Sequence, residues 1–161
     1  LDLGVREAEA HSAVGDRSAM VAAIARVRRA YESSRGQDPA YLAYLPEAQF
    51  SGLIGLAFMR IGSYPDAILS LQDAVAGTTA YPRERTAWQI RLAQAYVKSG
   101  AVADGCEIAT RHFDEISTVA STRLRSALQE IVTDIRPHHA VREARELLGL
   151  WTASSSPRSV N

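Results

Sequence analysis

Residues 46 to 75, PEAQFSGLIGLAFMRIGSYPDAILSLQDAV, read as a helix, a glycine and a second helix. Phe50, Leu53, Ile54, Ala57, Phe58 and Ile61 recur at helical spacing before Gly62, and Ile68, Leu71 and Val75 recur after it. Pro46 suits a first helical turn, where its missing N–H is no loss. Gly62 suits a helix end, because it tolerates positive φ. The stretch therefore predicts an antiparallel helical hairpin.

The same arrangement returns downstream in RERTAWQIRLAQAYVKSGAVADGCEIATRHF, residues 83 to 113. With Gly62 set on Gly100, Gly55 falls opposite Ala93, Phe58 opposite Tyr96, Ala67 opposite Gly105 and Leu71 opposite Ala109. A fainter copy centres on Gly15, with Ala8 and His11 before it and Met20 and Ile24 after. One hairpin cannot bury its own apolar face, whereas stacked hairpins share a core. Gly15 to Gly62 is 47 residues and Gly62 to Gly100 is 38, against a tetratricopeptide period of about 34. Longer linkers at 35–45 and 77–82 account for the excess. No segment sustains the two-residue alternation of a strand. The expectation is an all-α chain of about eight helices, stacked as a tetratricopeptide-like right-handed superhelix, an α-solenoid. One domain would span 1–150, with hairpins near 1–34, 46–76, 84–116 and 119–150, and 151–161 would form a disordered tail. Individual helices are expected at 1–14, 18–34, 46–61, 65–76, 84–99, 102–116, 119–136 and 139–150.

Composition narrows the function. The 161 residues carry 18 basic and 18 acidic side chains, a net charge of zero. Such a balance argues against a nucleic-acid surface, which needs concentrated positive charge. Arg26, Arg28 and Arg29 read as a solvent face, with docking to DNA or to a DNA-binding domain as the alternative. Cys106 is the only cysteine, so no internal disulfide is possible and a reducing cytoplasm is the simplest setting. No apolar run approaches the ~20 residues of a membrane span. The sequence opens on Leu1, without a secretion signal, and is read as a piece of a longer protein.

Chemistry-bearing residues have structural explanations. His138 and His139 are adjacent, about 100° apart on a helix, and lack a third nearby ligand. Cys106 lies between Gly105 and Ile108 and reads as a buried structural thiol, with His112 six positions away. Gly52 and Gly55 lie within a helix, without the strand or Lys-Ser/Thr of a phosphate loop. Trp88 reads as packing, and Trp151 as a seal on the last helix. No catalytic residue, metal site or cofactor is expected.

First helices of such hairpins line a concave side. The groove candidates are Gln49, Leu53, Leu56 and Arg60 from one hairpin and Ile90, Arg91, Gln94 and Lys98 from the next, with Arg125 beyond. Arg60 and Lys98 sit two residues before their glycines, which repeats a positive charge and suits an acidic or amphipathic partner. Asn161 is the only asparagine, which counts against capture of an extended peptide backbone. Gln49 and Gln94 could substitute at a greater entropic cost, so a general interaction or effector-sensing role is preferred.

Asp38-Pro39-Ala40-Tyr41-Leu42-Ala43-Tyr44-Leu45, Gly55, Gly62 and Asp66-Ala67 resemble the tetratricopeptide-like regions of actinobacterial helix-turn-helix transcriptional regulators. Arg83-Glu84-Arg85-Thr86-Ala87, Ser121-Thr122-Arg123-Leu124 and Ile135-Arg136-Pro137-His138 extend the likeness over most of 36–150. The resemblance implies a sensor or assembly region that takes a protein, a peptide or a small effector. It further implies a DNA-binding domain outside these residues, no direct nucleic-acid contact, and room for a homodimer. A stand-alone scaffold is the alternative.

Overall fold

The computed structural model describes residues 7, 8, 10, 11, 15–34, 47–118 and 122–155. All regular structure among them is helical. Helices α1 (Arg17–Ser34), α2 (Glu47–Arg60), α3 (Tyr64–Gly77) and α4 (Pro82–Ser99) come first. Then follow α5 (Val102–Arg111), α6 (Phe113–Thr118), α7 (Thr122–Ile135), a 3-10 turn (Arg136–His138) and α8 (Arg142–Ser155). The expected helix over 1–14 and the linker over 35–45 lie mostly or wholly outside the described residues. The chain divides into two compact units, Leu1–Arg85 and Thr86–Asn161.

In the first unit, Met20, Ile24 and Val27 of α1 share a core with Ala8 and with Phe50, Ile54 and Ala57 of α2. Tyr31 stacks on Phe50, ring centroids 5.4 Å apart and planes within 6°. Helices α2 and α3 form a tight antiparallel pair: a methyl on Gly55 would meet Leu71 Cγ at 2.6 Å. At the far end of the pair, Gly77 lies as close to Ala48.

The second unit repeats that pairing with α4 and α5. A methyl on Gly105 would stand 2.6 Å from the Ala93 carbonyl oxygen and from Val97 Cγ2. Ile90, Ala93 and Val97 of α4 join Cys106 and Ala109 of α5, Ile131 and Ile135 of α7 and Ala144 and Leu147 of α8 in one core.

The three aligned glycines share one backbone device. Gly15, Gly62 and Gly100 have φ of 75°, 73° and 95°. The residue after each donates its N–H five residues back: Asp16 to His11 O, Ser63 to Phe58 O and Ala101 to Tyr96 O, at 3.0, 2.9 and 3.0 Å. Gly62 and Gly100 also bond to Met59 O and Val97 O, which completes a Schellman closure at each. His11, Phe58 and Tyr96 are the residues aligned four positions before the glycines, so the cassette reading and the backbone geometry coincide.

Two boundaries depart furthest from expectation. The helix expected over 102–116 breaks at His112, whose φ of −103° and ψ of 7° leave the helical region. The new direction lets Phe113 and Ile116 both bury, at 4% and 1% exposure. The last helix continues to Ser155, past the expected end at 150, with Trp151 packed on the core. Residues 156–161 of the expected tail lie outside the described set.

Candidate functional site

Helix α4 presents two adjacent arcs. Ile90, Ala93 and Val97 face the core, while Arg91, Gln94 and Lys98 follow one residue later; Gln94 and Lys98 reach α7, and Arg91 reaches Gln94. Gln94 is only 3% exposed, so its amide needs partners where it lies. It has both: Arg91 Nη1 donates to its Oε1 at 3.1 Å, and its Nε2 donates to Glu130 Oε2. One turn further along each helix, Lys98 Nζ lies 2.9 Å from Asp134 Oδ2.

Each rung joins residues 36 apart in sequence, Gln94 to Glu130 and Lys98 to Asp134. Helices α4 and α7 therefore run parallel in a fixed register. Beside the rungs lies an open recess of about 450 Å³, lined by Lys98, Ser126, Gln129, Glu130, Thr133 and Asp134. Its lining offers two carboxylates, two hydroxyls, an amide and one ammonium group. It can bind by charge and hydrogen bonding, and holds no nucleophile–base pair.

The candidate residues divide between the units. In the first, Gln49, Leu53 and Leu56 are half-buried on α2, with Leu53 against the core, and Arg60 is exposed. In the second, Gln94 and Lys98 pair with α7 and Arg91 bonds to Gln94, whereas Ile90 is fully buried in the core and offers no surface. Arg125 is exposed on α7 and does not line the recess. Glu130 and Asp134 were missed. The available signal was two acids four residues apart on α7, matching the spacing of Gln94 and Lys98 on α4.

Other reactive groups are placed as packing or surface. Cys106 is fully buried, and burial followed by the nearby charge of Glu143 raises its thiol to about 11. His138 and His139 are exposed at the α7–α8 turn. Glu115 accepts from Thr86 Oγ1 at 3.0 Å and lies 3.5 Å from His112 Nδ1. The carboxylate thus stands between hydroxyl and imidazole, the wrong order for a base to activate the hydroxyl. The side chain of Trp88 is half-buried. Arg26 pairs with Glu7 at 2.6 Å. Among the described residues no group of three His, Cys, Asp or Glu could hold a metal ion, and no helix is long and apolar enough to cross a membrane.

Compared with protein-family models, curated proteins and solved structures, the chain matches none.

Proposed function

We infer that this chain is a tetratricopeptide-like interaction or effector-sensing domain, stacked as an α-solenoid and attached to a transcriptional regulator whose DNA-binding module lies outside these residues. The observation that carries the reading is the parallel, in-register α4–α7 ladder beside an open polar recess. Parallel first helices of consecutive hairpins are what a serial stack produces, and they leave a groove for a partner. The groove takes a protein or peptide segment, or a small effector, without catalysis, cofactor or metal. A ligand that prefers one spacing of the hairpins would shift the domain between shapes and reposition the attached module. The scaffold alternative keeps the groove and drops the DNA-binding module.

A thermal-shift screen of the chain against fractions of cell extract tests the reading, since a bound ligand raises apparent stability by mass action. A fraction that raises the melting temperature of the wild type but not of Ser126→Arg, which fills the recess, supports it. Shifts of equal size in both proteins would place binding elsewhere and count against the groove. Tight duplex-DNA binding by the chain itself, read by fluorescence anisotropy, would overturn the reading outright.

A further inference from the structure

We propose that the α4–α7 recess takes a positively charged side chain, an arginine or lysine presented by a partner protein segment. This rests on the interaction-domain reading and gives that groove a ligand class.

The charges of the lining decide the sign. Glu130 and Asp134 contribute two negative charges and Lys98 one positive. Lys98 stands out in sequence as an anion receptor, yet its ammonium group already lies 2.9 Å from Asp134. An acidic ligand would have to compete with that carboxylate and approach Glu130 as well. A cationic ligand meets the opposite situation. Gln94 engages one oxygen of Glu130 and Lys98 one oxygen of Asp134. An ionised carboxylate only accepts, and its two oxygens can take more than one donor, so both groups can still receive a cation.

Helix polarity adds to this. Lys98 lies in the last turn of α4 and Asp134 in the last turn of α7. The two helices are parallel, so both carry their negative ends to the same end of the recess, and a cation gains there from both. Thr133 Oγ1 already donates to Gln129 O at 2.9 Å, so it faces a ligand as an acceptor. A guanidinium, with five donors in a planar fork, suits such a row of acceptors. Gln94 cannot grip a peptide backbone, because both ends of its amide are committed to Arg91 and Glu130. Recognition in this recess is therefore of a side chain.

The test uses the full 161-residue chain, backbone-amide NMR, and three capped peptides that differ at one position: arginine, its neutral isostere citrulline, and glutamate. The arginine peptide is expected to shift α4 and α7 amides and to bind about tenfold more tightly than the citrulline peptide, with a gain that shrinks in salt. Glu130→Gln with Asp134→Asn should abolish that preference. Lys98→Gln removes the competing cation and should tighten arginine binding by about threefold, a gain that a damaged fold cannot mimic. Preference for the glutamate peptide, lost in Lys98→Gln, would overturn the proposal while leaving the interaction domain standing. Spermidine binding as tightly as the arginine peptide would overturn the protein segment as occupant. No shift at α4 or α7 with any peptide would overturn the proposal, and the extract screen would then judge the domain reading on its own.

Discussion

Gly105 stands to Ala93 as Ala67 stands to Gly55: the same two levels of two hairpins meet, with the glycine moved to the other helix. A methyl on Gly105 would stand 2.6 Å from the Ala93 carbonyl oxygen, which is backbone. A methyl on Gly55 would come within 2.6 Å of Leu71 Cγ and 3.3 Å of Ala67 O.

The two substitutions should therefore rank. Gly105→Ala must separate two backbones and is expected to cost about 1–3 kcal/mol, as overpacking does. Gly55→Ala pushes mainly on a side chain, and the better helix propensity of alanine returns up to about 1 kcal/mol. Urea denaturation of both variants should show the larger loss of midpoint in Gly105→Ala. Equal midpoints would contradict the close approach of α4 and α5.

The two rungs between α4 and α7 should differ in worth. Glu130→Ala strands the 3%-exposed amide of Gln94 and is expected to cost about 1–3 kcal/mol. Lys98→Ala removes an ion pair about one-third exposed at each partner and should cost under about 1 kcal/mol. Chemical denaturation at low and high salt separates them: the Lys98 effect fades with salt, whereas the Glu130 effect persists.

Cys106 gives a pH dependence of known sign. Its thiol has a native value of about 11 against 9.0 unperturbed, raised by burial and then by Glu143. Below pH 9 both folded and unfolded chains hold the proton, and nothing changes. Between pH 9 and about 11 the unfolded chain loses it first, so stability falls, by up to about 2 kcal/mol. Stability measured against pH should drop more steeply above pH 9 in the wild type than in Cys106→Ala. Parallel curves would show an unperturbed thiol. Alkylation of the native chain by iodoacetamide should be slow at pH 8 and speed up in urea.

Much of the fold was legible because glycine marks it. After an apolar stripe, a residue free to take positive φ has few roles besides closing a helix; Gly15, Gly62 and Gly100 all take positive φ, and Gly62 and Gly100 close helices. The break at His112 had no such marker, since a histidine there fits a helix or a turn, and burial of Phe113 and Ile116 decided it. The groove was half legible. Ile90 and Arg91 are neighbours in sequence, but successive residues point about 100° apart. That angle sends Ile90 to the core and Arg91 to the amide of Gln94. Glu130 and Asp134 stayed hidden because a partner on a later helix leaves no local pattern. Only the matched intervals on α4 and α7 betray them.

The constant offset of the rungs makes the helix pair a vernier. Sliding α7 by a single turn, about 5.4 Å, would bring one acid opposite the wrong mate and leave the other mark of the scale without a counterpart. Intermediate slips match nothing. The spacing of these hairpins is thus held at a discrete setting, and any agent that alters it must break both marks together.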